Sequence, residues 1–330
     1  MKKLSFIYKL IITVLISIIC FVIAIRFGAA DIQMKDIWLA LTSDVENKDT
    51  LLIKEIRLPR EIGAVVVGAA LAVSGTIMQG LTKNPLADPG LLGLTSGANM
   101  ALAITLALIP GANYFWITIA CFIGAAAGAL LVIGIGSIKR GGFSPFRIVL
   151  AGAAVSAFLT AIGEFVGLYF KVSKDITMWT AGGLIGTTWS QLQIIIPFVV
   201  LGTLLALVLS KQLTVLSLNE ELAVGLGQKV LFIKTCLFVV VIILAGAAVA
   251  LVGNMVFIGL MIPHIVRALA GTDYRFILPI SVFVGGAFML MADTVGRTIN
   301  APYETPVAAI VAMLGLPFFL LIIRKGGKTL

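Results

Sequence analysis

Charge is what this chain of 330 residues has least of: Asp, Glu, Lys and Arg together make up 12% of it, about half the share of an average soluble domain. Set against 60% apolar residues and a mean hydropathy of +1.13, that scarcity excludes a water-soluble fold. Cysteine is almost as rare. Cys20, Cys121 and Cys236 lie inside apolar runs, are odd in number and show no metal-ligand spacing, so they read as packing residues. The single histidine, His264, makes no metal site without partners of the right kind and reads as a packed or helix-terminal side chain. A nucleotide-binding loop is missing too. The one Gly-Lys-Thr run is Gly327, Lys328 and Thr329, and the first glycine of a P-loop would fall on Ile322. No hydrolytic constellation stands out, so no catalysis is expected of this polypeptide.

Long apolar runs are there instead. A hydrocarbon core of about 30 Å takes about 20 helical residues to cross. No residue from Pro89 to Ile138 is charged. As one helix that run would be about 75 Å long, so it must fold back, and Pro110, Gly111, Ala112 and Asn113 mark the turn. The same reasoning places helices near Ile7–Phe27, Ile62–Leu81, Leu91–Ile109, Tyr114–Ser137, Arg147–Phe170, Leu192–Ser210, Leu231–Val252, Met255–Ala270, Ile277–Gly296 and Thr305–Ile323, ten in all. Lys2 and Lys3 ahead of Leu10–Ile25, with Gly28, Ala29 and Ala30 beyond, would also suit a cleavable leader. Further spans follow and a retained first helix balances the charges, so it is read as span one. The expected fold is an all-α polytopic protein of the lipid bilayer, one domain over residues 1–330.

The net charge of +9 is weighed against membrane orientation before any nucleic-acid partner. With ten spans and a cytoplasmic N-terminus, fifteen of the 24 Lys and Arg residues fall inside, among them Lys2, Lys3, Lys139, Arg140, Arg267, Lys325 and Lys328, and nine fall outside. Removing the short eighth span, which carries Pro263, His264 and Arg267, leaves eleven inside and thirteen outside, and the positive-inside bias vanishes. Ten spans with both termini cytoplasmic are therefore expected, with Arg267 snorkelling to the inner surface. No nucleic acid is expected as a partner.

Two stretches, "GAALAVSG" at Gly68–Gly75 and "GAAVALVG" at Gly246–Gly253, read alike, and each is followed ten residues later by a proline, Pro85 or Pro263. They fit an inverted repeat of about residues 62–170 and 231–323, or two ordinary small-residue packing faces. In "NPLADPGLLG" the residues Asn84, Pro85, Asp88, Pro89 and Gly90 break the helix. Irregular backbone at a membrane face needs protein or water beside it. The segment therefore lines a pathway with Pro263, His264 and Arg267, meets another subunit, or is a plain turn. On the outer side Arg57 and Arg60 precede span two and Arg297 ends span nine. They form a receptor for carboxylates on a partner protein, or they anchor at the interface and pair with Glu55, Glu61, Asp293 or Glu304. Glu164 and Asp293, inside or at the ends of apolar spans, are functional by default, with exposure at the outer end as the simpler account. Gly28–Glu61 forms an outer cap with a short helix near Asp36–Leu41. Lys211–Lys229 is a cytoplasmic loop.

Arg57–Ala98, "LNEELAVGLG" at Leu218–Gly227, "GNMVFIGLMIPHIVR" at Gly253–Arg267, "GTDYR", "ADTVGR" at Ala292–Arg297 and Ala301–Arg324 resemble, in order and over nearly the whole chain, the FecCD-type permeases, a family that includes the cobalamin importer permease. The resemblance implies a cobalamin-permease-like, type II ABC importer fold in the bacterial cytoplasmic membrane. It implies a ten-helix subunit that pairs with a second copy or a paralogue around a central pathway. An extracytoplasmic binding protein would deliver the substrate and two ATPase subunits, holding ATP and Mg, would drive it; no cofactor is expected on this chain. The implied cargo is a ferric siderophore, which brings its own iron ligands, with cobalamin or haem as alternatives. By the same resemblance Arg57, Arg60 and Arg297 match the outer arginines that meet the binding protein. Glu304 stands beside them in a turn where Tyr303 and Thr305 depart from the family's shorter acidic-proline form. Leu218, Glu220, Glu221, Ala223, Gly225, Leu226 and Gly227 match the coupling helices seated in the ATPase. A secondary transporter would need paired ionisable residues near mid-membrane, and a channel a filter-like loop; the sequence offers little of either.

Overall fold

The computed structural model describes residues 5–28, 32–43, 47–137, 145–301 and 303–324. Ala29, Ala30, the Gly327–Thr329 run and the basic residues Lys2, Lys3, Lys139, Arg140, Lys325 and Lys328 lie outside them. The described residues are helical throughout, with no strand. Helix α1 spans Phe6–Arg26, α2 Met34–Thr42 and α3 Lys48–Leu52; a π turn at Ile53–Arg57 leads into α4, Leu58–Thr82. A 3-10 turn at Pro89–Leu92 precedes α5 (Leu94–Leu108), α6 (Tyr114–Ser137), α7 (Pro145–Tyr169), α8 (Ser173–Gly182) and α9 (Trp189–Val208). Then come α10 (Ser210–Leu218), α11 (Glu220–Gly225), α12 (Val230–Val252), α13 (Ile258–Ala270), α14 (Tyr274–Thr298) and α15 (Val307–Arg324).

Helices α1 and α4 are both apolar and are packed in opposite ways. Along α1 the side chains of Ile11, Ile12, Leu15, Ile18 and Ile19 are exposed, and only Thr13, Ala24 and Ile25 are buried. A helix that shows this much apolar surface without protein around it takes lipid as its solvent. By contrast α4 is buried without a break from Val67 to Leu81, packed among α12, α13 and α14. Small residues let it in. A Cβ added at Gly68 would run into the backbone of Gly285 on α14, and one at Gly75 into that of Gly259 on α13, so glycine sets the closeness of these crossings. Where α4 meets α14 the hydroxyls of Thr76 and Ser281 hydrogen-bond at 3.1 Å, so each of these two buried groups has a partner.

Seven described helices are long and apolar enough to cross a membrane: α1, the continuous helix Lys48–Thr82, α6, α7, α9, α12 and α14; α5, α13 and α15 are shorter apolar helices. The fold-back near Pro110 forms as read, with Asn113 Oδ1 accepting from the Phe115 amide at 3.0 Å to start α6. Three features differ from the sequence reading. Span two begins well before Ile62, because the π turn carries the helix through the donorless Pro59, so Arg57 and Arg60 sit on helix. Within Lys211–Lys229, α11 falls where the resemblance implies a coupling helix, but α10 ahead of it was not expected. Helix α8, polar and short, was not expected at all.

Candidate functional site

At the end of α14 that follows Met289, five charged side chains form one cluster. The Arg60 guanidinium donates from Nε and Nη2 to the two oxygens of Asp293, each at 2.9 Å, and from Nη1 to Glu304 at 2.9 Å. Arg297 meets Glu61 at 2.6 Å and Asp293 at 3.2 Å. The remaining donors turn to helix ends: Arg297 gives a hydrogen bond to the Ala24 carbonyl at 3.1 Å, and Arg57 to those of Ile25 and Arg26, the latter at 2.9 Å. All three acceptors lie in the last turn of α1, whose carbonyls have no partner within the helix. The pairing with Glu61, Asp293 and Glu304 was one of the two readings of the sequence.

Two corrections follow. Arg57 and Arg297 do not stand at the surface: they are 5% and 4% exposed, and they lock α1, α4 and α14 together. Of the three, it is Arg60 that pairs with a partly exposed side chain, Glu304. Asp293 is not a solvated end residue either; it is buried between two arginines.

At the opposite end of α14 the chain builds a knuckle. Asp273 caps α14, its carboxylate accepting from the Arg275 amide at 2.9 Å and pairing with the Arg275 guanidinium at 2.6 Å, contacts that hold its pKa below the usual carboxylate range. The Thr214 hydroxyl on α10 bonds the same carboxylate at 3.1 Å and accepts from the Tyr274 amide at 3.0 Å. Helix α10 is thereby fixed to the bundle, with Leu213 and Leu216 buried. Asn219 breaks it and caps α11 by accepting from the Glu221 amide at 2.9 Å. Helix α11 stands outward: Ala223 is its buried foot, whereas Leu218, Leu222, Val224 and Leu226 are exposed. Glu221 is exposed and Gly225 and Gly227 face open space, with Gly227 at φ +78° reversing the chain. Glu220 pairs with Lys234 of α12 at 2.6 Å, and that hydrogen bond lowers its pKa.

The residues read as a pathway or gate fall on the turn after α4 and on α13. Asn84 and Asp88 satisfy their own turn, accepting from Leu86 at 3.0 Å and Gly90 at 2.8 Å. Asp88 and Pro89 are buried against the Gly259 backbone of α13, while Pro85 is exposed and Gly90 half-buried. Pro263 is buried inside α13. His264 packs edge-on against Phe318 at 6.0 Å between ring centroids, and no group of metal-ligating side chains forms among the described residues. Arg267 hydrogen-bonds the Gln79 amide oxygen of α4. Sequence reasoning did not find a cavity of about 490 Å³ between α5, α7 and α8, lined by Asn99, Glu164, Leu168, Ile176 and Thr177 among others. The acidic residue inside an apolar span was its one signal.

Apolar helices of membrane-spanning length, a buried arginine–carboxylate cluster at one end of α14 and an apolar knuckle at the other define a membrane transport subunit, and the family agrees. The chain matches the FecCD transport family over residues 15–325 and belongs to it. It is 43% identical over 309 residues to the iron(3+)-hydroxamate import system permease protein FhuB of Bacillus subtilis, covering 93% of this chain and 80% of that one. It is 38% identical over 308 residues to the iron-uptake system permease protein FeuB of the same organism, covering 93% and 92%. A solved structure described as an inward-facing conformation of a metal-chelate type ABC transporter superposes with a TM-score of 0.81 at 26% identity, over 97% of this chain and 100% of that one.

Proposed function

We propose that this chain is the membrane-embedded subunit through which an ATP-driven importer moves ferric siderophore complexes across the bacterial cytoplasmic membrane. The observation that carries the reading is the division of labour along α14. This helix of 25 residues, about 37 Å long, ends outside in the Arg60–Asp293–Glu304 cluster and begins inside at the Asp273–Thr214 joint that fixes the knuckle. A rigid helix with a docking surface at each end is what coupling between a donor protein and a motor requires. The exposed leucines of α11 fit an apolar cleft in an ATPase, and Arg60 with Glu304 offers a charged edge to a binding protein.

The topology proposed is ten spans, the seven long helices together with α5, α13 and α15, and both termini in the cytoplasm. A second copy or a paralogue, two ATPase subunits holding ATP and Mg, and an extracytoplasmic binding protein complete the machine. The permease chain has no P-loop of its own and acts without catalysis. The names of the two relatives above, iron-hydroxamate and iron uptake, support a ferric siderophore as cargo ahead of cobalamin. The test is radio-iron uptake into proteoliposomes holding the complete importer. Uptake that requires ATP and the binding protein is expected; uptake driven equally well by an ion gradient without ATP would contradict the proposal.

A further inference from the structure

The cavity between α5, α7 and α8 has an uneven chemistry. Its lining carries hydroxyls and amides from Ser96, Asn99, Thr160, Thr177 and Asn254, and a single charged side chain, Glu164; neither Lys nor Arg contributes to it. Glu164 is exposed and enters no ion pair among the described residues. Asn99 Oδ1 is buried there without a hydrogen-bond partner. An unpaired carboxylate within a membrane-spanning helix is costly unless a pathway or ligand uses it, and a buried amide oxygen calls for a donor. The volume lies within the range of about 300–1,000 Å³ that small-molecule sites occupy.

Resting on the import reading, we infer that Glu164 is the charge-selecting residue of this transport path. The cavity accepts iron chelates that are neutral or cationic and carry N–H or O–H donors toward Asn99, and it turns away anionic ones. Selection by a repulsive charge works through the rejected ligand: an anionic chelate must leave water beside a fixed carboxylate, and none of the described lining residues is a cation that would offset it. A ferric trihydroxamate is neutral at its iron centre, so its peripheral group sets the net charge. Ferric citrate and tris-catecholate complexes are anionic.

One scaffold at three charges isolates this effect. The probes are the ferric complex of a linear trihydroxamate with a free terminal amine, its N-acetyl form and its N-succinyl form, which are cationic, neutral and anionic. Uptake of each is measured in proteoliposomes holding the complete importer, normalised to the separately measured affinity of the binding protein. Wild type is expected to favour the amine over the succinyl form by about tenfold, equivalent to about 1.4 kcal/mol. Glu164→Gln, an isosteric change that keeps the helix face, is expected to bring the ratio near one, and Glu164→Lys to invert it. A purely structural role for Glu164 would lower all three rates together. A wild-type ratio near one, or a ratio held constant across the three proteins, overturns the inference. Wild-type vesicles that import none of the chelates, ferric citrate included, would overturn the import reading itself.

Discussion

Arg297 and Glu61 meet at 2.6 Å with both side chains withdrawn from solvent, binding the last turns of α14 to the first turn of α4. A buried pair of this kind stabilises less than its Coulomb energy suggests, because both ions leave water; removing one partner strands the other and costs about 3–5 kcal/mol. Arg297→Met is therefore expected to lower the unfolding temperature in detergent sharply. The double variant Glu61→Met with Arg297→Met should recover a large part of the loss, since Asp293 keeps Arg60. A double variant no more stable than the single would show that the pair is not the source of the cost.

The three outer arginines should not behave alike. Arg60→Gln keeps a donor toward Asp293, which retains Arg297, but removes the charge offered beside Glu304, and is expected to weaken capture of the binding protein in detergent by about tenfold, or about 1.4 kcal/mol, while leaving most of the protein folded. Arg57→Glu and Arg297→Glu place a carboxylate in the buried cluster and should cut the yield of folded protein first. Equal loss of binding-protein capture at equal yield in all three would contradict this division.

The knuckle offers exposed and buried positions close together. Leu222 and Leu226, 49% and 64% exposed, are expected to tolerate Asp with normal folding but to lose co-purification of the ATPase and about tenfold in uptake, the scale of an interface hot spot of about 1.4 kcal/mol or more. Ala223→Asp buries a charge at the foot of α11 and should unfold the knuckle locally. Normal ATPase recovery with Leu222→Asp and Leu226→Asp together would remove α11 from the coupling surface.

The Glu220–Lys234 pair gives a pH expectation. Pairing lowers the Glu220 pKa, so its contribution is fully present above the unfolded carboxylate value of about 4.3 and is lost only as pH falls through the lower folded value. A spin label at Leu222 should report the same mobility from pH 6 to pH 8 and loosen only in acid below about pH 4. Loosening near neutrality would show that another group governs α11. Asp273, depressed in the same direction, gives the same window for the start of α14.

What could be read from the sequence follows from how strongly each element is written in apolar residues. The runs around α6, α9 and α12 admit no other solvent than lipid or protein, and the fold-back at Pro110–Asn113 is set by chain length alone. Helix α8, "SKDITMWTAG", has neither an apolar run nor a stripe, and its helical state depends on packing against α5 and α7 that no local pattern reports. The break between α10 and α11 rests on one side chain, Asn219. The charged cluster was half legible: spacing named the acidic partners of the arginines, but the depth of Arg57 depends on the π turn that extends α4 backward, and that of Arg297 on how α14 packs against α1 and α4. The cavity at Glu164 required residues from positions 96 to 254 to converge, which is tertiary information.

The two ends of α14 are expected to face opposite compartments. Single cysteines at Glu304 and Leu226, in a chain with Cys20, Cys121 and Cys236 replaced, would be probed with a membrane-impermeant maleimide in intact spheroplasts and in inside-out vesicles. The account predicts labelling at position 304 from outside only and at position 226 from inside only; labelling of both from the same side would contradict it.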